Sequence, residues 1–229
     1  MRKLLSVMTL LIFCGTLAAG ELVVKNVKAS VEARSGVSEE WIKLKAGDVL
    51  KSDNTIKTGK NSSVTVVAAD GRVFVIPELT MLEVSDLRNI SQEDLLLKLA
   101  MADIRGVPPQ NGSGEISIPN TTIIHGKKYA AENRAPRPAK GFRDMEVNGT
   151  KVLYNYAFYP TCVLRAKEML RFYPELKSRF EFRMMIANAL EKSNLRGEAL
   201  NEYIALSSEK LPPSQKAVVE ENSRRLKRH

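Results

Sequence analysis

The chain has 229 residues, of which 44% are apolar and 27% charged, and its formal net charge is +9. These fractions are typical of globular proteins, so they exclude a mostly disordered chain, and the length suits one or two domains with a buried core. A basic chain meets anionic surfaces and acidic partners readily, although a solvated surface accounts for the same charge.

The first twenty residues have the layout of a secretory signal peptide. Arg2 and Lys3 precede an apolar run over residues 4–17, and small residues follow at 18–20. The run is shorter than the roughly 20 residues that span a bilayer. We expect cleavage after Gly20, which leaves a chain that starts at Glu21 and carries a net charge of about +7. The alternative is an uncleaved N-terminal anchor. With cleavage, the sequence predicts an exported protein, periplasmic or secreted, that has no transmembrane segment.

Short strands dominate the sequence from Leu22 to about Ile124. Alternating or β-branched apolar residues indicate strands in eight segments: 22–24, 27–31, 41–44, 64–68, 73–76, 81–84, 116–118 and 121–124. The pair Asp70-Gly71 lies between two of them and predicts a hairpin, because glycine supplies the positive φ that the turn needs. The pattern predicts an all-β unit.

Residues 93–106 support two interpretations. Ser91 followed by Asp94 can cap a helix. Leu95, Leu97 and Leu99 instead alternate as they would on one face of a strand. Periodicity alone leaves both interpretations open.

The composition changes again in the second half of the chain. Residues 129–152 hold prolines, glycines and several cations and predict a basic, partly extended linker. From residue 153 to 229 the apolar residues recur at helical spacing, with Pro174 and Pro212-Pro213 at boundaries between helices. The predicted fold class is therefore α+β, with a β domain at 21–128 followed by a helical module at 153–229.

The β region resembles the periplasmic domain of the FecR family. A tryptophan strand begins at Trp41, a "leucine, two residues, glycine" turn ends at Gly47, an "isoleucine-any-threonine-glycine" turn ends at Gly59, and an Asp70-Gly71 hairpin follows. The resemblance covers about residues 27–126 and weakens after the hairpin, where residues 95–104 and 119–126 correspond to later segments of the family pattern. It implies a non-catalytic envelope domain of bacteria. We expect these five residues to be structural, with Trp41 filling the core and the glycines in turns.

The helical region weakly resembles tetratricopeptide repeats. Ala166, Leu170 and Tyr173 are echoed about 33 residues later by Ala199 and by further packing residues, close to the period of roughly 34 in that family. About one and a half repeats are present, and stable arrays normally need three. A plain helical bundle, or helices that pack on the β domain, are the alternatives.

No residue pattern typical of catalysis, of a cofactor or of a metal site is found in the sequence. The two histidines, His125 and His229, lie in no ligand motif, and neither a nucleophile elbow nor a glycine-rich phosphate loop is present. After signal cleavage Cys162 is the one remaining cysteine, and its apolar helical context predicts burial. The sequence therefore predicts no catalytic, cofactor-binding or metal-binding residue and no enzyme activity.

Two basic runs are candidates for contact with polyanions. One lies in the linker and one at the C-terminus. Their cations are Arg134, Arg137, Lys140, Arg143, Arg224, Arg225, Lys227 and Arg228. The alternative is a solvated face, or cations that favour the end of a polar helix.

Together these observations predict an exported interaction or scaffold protein of the envelope with a protein partner. A wall-polymer or glycan-binding accessory protein is an alternative, and no nucleic acid is expected. A periplasmic signalling component is a further alternative. The FecR-type regulators of sigma factors carry a cytoplasmic domain before a transmembrane helix, whereas the predicted signal here directly precedes the β domain.

Overall fold

A computed structural model describes residues 21–106 and 142–228 of the chain. It confirms the α+β class, with two antiparallel sheets of short strands in the N-terminal part and helices in the C-terminal part. The strands are β1 (Leu22–Lys28), β2 (Val31–Ser35), β3 (Ile42–Lys43), β4 (Val49–Leu50), β5 (Asn54–Thr58), β6 (Ser63–Ala68), β7 (Val73–Ile76) and β8 (Met81–Glu83). The helices are α1 (Gln92–Gly106), α2 (Arg143–Asn155), α3 (Tyr159–Phe172), α4 (Phe180–Lys192), α5 (Arg196–Ser207) and α6 (Pro213–Lys227).

The strands form two four-stranded sheets with the orders β4-β1-β6-β7 and β3-β2-β5-β8. Burial alternates along them, since Val64 and Val66 of β6 and Phe74 and Ile76 of β7 are buried while their neighbours are more exposed. This is the period of a strand with one face on a core. The predicted hairpin is confirmed, because β6 and β7 pair antiparallel across Asp70-Gly71 and Gly71 has a φ of +83°.

The chain crosses between the two sheets at a corner near Gly59. There β1 passes into β2 and β5 passes into β6, so each connection joins strands of different sheets. The Gly59 N–H donates to the Ser30 carbonyl over 2.9 Å, and the Ser30 N–H donates to the Ser62 hydroxyl over 3.0 Å. A Cβ on Gly59 would lie 3.3 Å from the Ser30 oxygen, so close backbone approach favours glycine here.

The ambiguous segment 93–106 belongs to a helix. The Asp94 N–H donates to the Ser91 hydroxyl over 3.1 Å, which is the N-terminal capping that the sequence offered as one interpretation. Leu95 is fully buried, whereas Leu97 is 59% exposed. The strand interpretation is therefore wrong, because residues two apart along a helix lie on different faces.

The predicted linker ends earlier than expected. Helix α2 begins at Arg143, so residues 143–152 are helical and the helical module begins before residue 153. Gly149, which belongs to the predicted linker 129–152, is buried in this helix. Residues 129–141 and the predicted strands 116–118 and 121–124 lie outside the described residues.

The helices stack on one another and on the sheets. Each helix from α2 to α6 packs against the next, α2 also packs against α4, and α2 contacts β8. Phe158, which is fully buried, lies 5.6 Å from the ring of Phe74 in β7. The buried side chains of both regions belong to one hydrophobic core. The interpretation in which helices pack on the β domain is therefore confirmed for α2 and α3.

Candidate functional site

Trp41 lies at the surface of the second sheet and not in its core. Its ring is half-buried, with Arg34 5.0 Å and the Lys57 Nζ 4.1 Å from the ring centroid. Arg34 follows the buried Ala33, and Lys57 follows the buried Ile56, so both cations project from the face opposite the core. The prediction that Trp41 fills the core is wrong, because the indole is held by cation–π contacts on the outer face.

A buried cluster of charge joins the β domain to the helices. Arg165 of α3 is 7% exposed and lies 3.4 Å from a Glu83 carboxylate oxygen, 3.8 Å from Asp86 and 3.6 Å from Glu146. Glu168 lies 3.4 Å away on the same helix. Burial would lower the pKa of Arg165, but the surrounding carboxylates raise it above its usual value. Arg165 therefore stays positively charged among these four carboxylates, and the cluster has a structural character.

A second ion-pair network connects α3, α4 and α5. The Glu202 carboxylate accepts hydrogen bonds from Lys167 over 2.5 Å and from Arg183 over 2.8 Å, and Arg183 also reaches Glu209 over 3.1 Å. Burial would raise the pKa of Glu202, but the two cations lower it below its usual value. This network fixes the mutual arrangement of the three helices.

Cys162 is fully buried in α3, as the sequence predicts. Burial raises the pKa of its thiol to about 12, so the thiol is protonated at neutral pH. Among the described side chains, those of residues 21–101 and 142–228, no three of His, Cys, Asp or Glu are grouped as a metal site would need. His125 and His229 lie outside these residues.

The predicted polyanion-contact residues divide into three groups. Arg134, Arg137 and Lys140 lie outside the described residues. Arg143 is 2.8 Å from Glu175 and 3.2 Å from Asp144, so its charge is paired with carboxylates of the same protein. The C-terminal cations are exposed near the end of α6; they are Arg224, Arg225, Lys227 and Arg228.

The structure brings two further cations to those of the C-terminus. Arg225 donates hydrogen bonds to both carboxylate oxygens of Glu191 in α4, over 2.5 and 2.7 Å. Arg225, Arg196 and Lys192 all lower the pKa of Glu191, with Arg225 acting most strongly. The end of α4, the start of α5 and the end of α6 therefore meet. We call this surface the basic end, formed by Lys192, Arg196, Arg224, Arg225, Lys227 and Arg228.

Sequence reasoning found only the α6 part of the basic end. Lys192 and Arg196 lie about thirty residues before the C-terminal run, on either side of the turn between α4 and α5. Both are exposed. The helical periodicity and this turn together could have predicted the proximity of these residues. Successive antiparallel helices place the ends of α4 and α6 at the same end of the bundle.

An open groove lies at the opposite end of α4. Its volume is about 740 Å³, and it is bordered by α2, the start of α4 and the connection from α5 to α6. Apolar side chains line it, namely Val147, Phe180, Phe182, Leu211 and Pro212. Charged side chains line it as well, namely Lys151, Arg179, Glu181, Glu209 and Lys210. We call this site the α2–α4 groove.

Comparisons of the chain with protein-family models, with curated proteins and with solved structures gave no significant match. The resemblances to the FecR family and to tetratricopeptide repeats therefore stay predictions. In the described part of the chain, no helix has the length and apolar character needed to cross a membrane.

Proposed function

We propose that this protein is a non-enzymatic interaction protein of the bacterial envelope, exported by residues 1–20. In this proposal the α2–α4 groove binds an extended, acidic segment of a partner protein, and the β domain supports the helices. The observation that carries the proposal is the groove itself, which combines apolar and cationic side chains on elements that share one core.

The groove offers both apolar contact and positive charge. Phe180 and Leu211 are half-buried, so part of each side chain remains available to a ligand. Buried apolar contact supplies most of the affinity in peptide-binding grooves, and a few polar groups supply orientation. The volume of about 740 Å³ accommodates a few side chains, which favours a short segment of a partner over a whole folded surface.

The charge of the groove favours an acidic ligand. Arg179 pairs with Asp144 over 3.0 Å, and Glu209 pairs with Arg183 over 3.1 Å. Lys151 and Lys210 are exposed and form no salt bridge with the described residues. The charged groove residues without a described salt bridge are therefore two lysines and one glutamate, Glu181. The net charge that a ligand would meet is positive.

Site-specific photo-crosslinking in the producing cell tests this function. A photoreactive residue at Ser178 or Gln215 lies in the groove, whereas one at Glu220 lies outside it and serves as the control. We expect one partner to be crosslinked from both groove positions and not from the control. Mapping the crosslinked peptide should give an acidic segment. Lys151→Glu with Lys210→Glu should weaken the crosslink, while Lys45→Glu with Lys51→Glu, which makes the same charge change elsewhere, should not.

Other outcomes would contradict the proposal. Equal crosslinking from groove and control positions would indicate nonspecific proximity, and a basic or neutral mapped segment would remove the argument from charge. Export is tested separately, since the mass of the chain recovered from the envelope should correspond to a start at Glu21. A mass that includes residues 1–20 would favour the uncleaved anchor.

A further inference from the structure

We propose that the basic end is a docking surface for a planar anionic lipid bilayer. This inference goes beyond the proposed groove function and does not depend on it. The two sites lie at opposite ends of α4, a helix of 13 residues, and are therefore separated by about 20 Å. Substitutions can affect each site without touching the other.

The positive charge of the protein is concentrated in the helical region. Residues 142–228 carry 16 Lys and Arg against 11 Asp and Glu, a net charge of +5. Residues 21–106 carry 12 against 13, a net charge of −1. The two segments that form the basic end, 191–198 and 221–228, hold six of these cations against three carboxylates, a net charge of +3. This excess makes the basic end a candidate for electrostatic attraction to an anionic surface.

Arg225 has a structural role in the basic end that the other cations do not have. Arg225 is bound to Glu191 in a bidentate pair, which ties α6 to α4. Arg224, Lys227 and Arg228 are exposed and form no salt bridge with the described residues. The bidentate pair therefore holds the end of α6 in place while its neighbours present their charges to solvent.

The arrangement of the cations favours a flat lipid surface over a single polymer strand. They lie at the ends of three neighbouring helices and so spread over an end face rather than along one line. The apolar residues among them, Leu195 and Leu226, are buried, and segments 191–198 and 221–228 hold no aromatic residue. The surface therefore has charge but no groups that insert into the bilayer or stack on sugars. Each cation near an anionic membrane adds to the attraction.

Cosedimentation with lipid vesicles tests the inference. The processed chain, as recovered from the producing cell, is mixed with vesicles of neutral phospholipid, or with vesicles that contain about 30% anionic phospholipid. We expect binding to the anionic vesicles only, and a loss of tenfold or more in binding when salt rises from about 50 to about 500 mM, because screening shortens to a few ångströms.

Matched variants identify the surface. Arg224→Gln with Lys227→Gln and Arg228→Gln should reduce binding to the anionic vesicles at least tenfold. Lys45→Gln with Lys51→Gln and Lys60→Gln removes the same charge from exposed positions of the β domain and should change binding less than twofold. Thermal unfolding of each variant checks that the fold is intact, and Arg225 is left unchanged because it is part of the ion pair.

Three outcomes would overturn the inference. The first is no binding to anionic vesicles at low salt. The second is an equal loss of binding in the two triple variants, which would show that net charge and not the basic end is responsible. The third is binding of the same residues to isolated wall material or soluble polyphosphate without binding to vesicles, which would assign the surface to a polymer.

Discussion

Gly149 of α2 lies directly against the carbonyl oxygen of Met81 in β8, so closely that a Cβ on the glycine would be 2.0 Å from that oxygen. The neighbouring Asn148 side chain donates a hydrogen bond to the Leu79 carbonyl over 2.8 Å. One turn of α2 therefore contacts the backbone of the β domain itself. This contact fixes the position of the first helix of the stack, which in turn borders the groove.

Gly149→Ala should destabilise the protein, although alanine is the better helix former by about 1 kcal/mol. The new methyl group would meet a backbone atom that cannot rotate away, so helix or strand must shift, at a net cost of about 1–3 kcal/mol. Urea unfolding measures the change. Gly197→Ala is the matched control, because a Cβ there meets nothing within 4 Å. It should leave stability unchanged or slightly raised, and equal effects of both variants would contradict this role of Gly149.

Arg165→Met should be strongly destabilising at neutral pH. The substitution keeps most of the buried volume but removes the guanidinium that lies among Glu83, Asp86, Glu146 and Glu168. The carboxylates then repel one another in a buried site, and we expect a loss of about 3–5 kcal/mol in the free energy of unfolding.

The pH dependence of the Arg165→Met variant separates this explanation from a simple packing defect. Protonation of the carboxylates relieves their repulsion, so the difference from the unmodified protein should shrink as pH falls from about 7 to about 4. A defect of packing would leave the difference constant over that range. Arg165→Lys, which keeps the charge, should lose less stability than the methionine variant at neutral pH.

The Glu202 network predicts sensitivity to acid. The folded-state pKa of Glu202 lies below its usual value of 4.5. Its contribution to stability is therefore fully present above about pH 5 and is lost as pH falls through the lower, folded-state pKa. Compared with Glu202→Gln, the unmodified protein should be more stable at about pH 6, and the difference should decline towards about pH 3. Glu198→Gln, an exposed position on the same helix, should show little difference at either pH; a constant difference for Glu202→Gln would contradict the assignment.

Local patterns predicted an element where one turn decided the outcome, but they missed β5 and placed a strand over 27–31, where the structure ends β1 at Lys28 and begins β2 at Val31. Asp70-Gly71 predicted the hairpin because Gly71 supplies the positive φ of a turn between two alternating segments.

For α1 the pair Ser91 and Asp94 supported one of two open interpretations, and the structure decides for the helix. The strand interpretation arose from Leu97, which lies two residues after Leu95 as it would on one face of a strand. In the helix Leu97 is instead an exposed leucine, and the sequence pattern does not distinguish the two cases.

Contacts between distant segments could not be read from the sequence. Gly149 had the sequence context of a linker residue. Its neighbours in the sequence do not indicate that β8 lies so close that a Cβ at Gly149 would be 2.0 Å from a β8 backbone oxygen. Trp41 was expected in the core because of its size, but Arg34 and Lys57 hold it on the outer face. Each of these relations depends on tertiary packing, which periodicity does not specify.

Alkylation of Cys162 tests its burial in the native protein and signal cleavage in the denatured protein. The thiol is fully buried and its pKa is raised to about 12, so it is protonated at about pH 8. In the native protein an alkylating reagent should therefore modify it only as fast as the surrounding helices open. In denaturant the processed chain should take up one label at Cys162, whereas a chain that retains Cys14 should take up two. Rapid labelling of Cys162 in the folded protein would contradict its burial between α3 and the rest of the core.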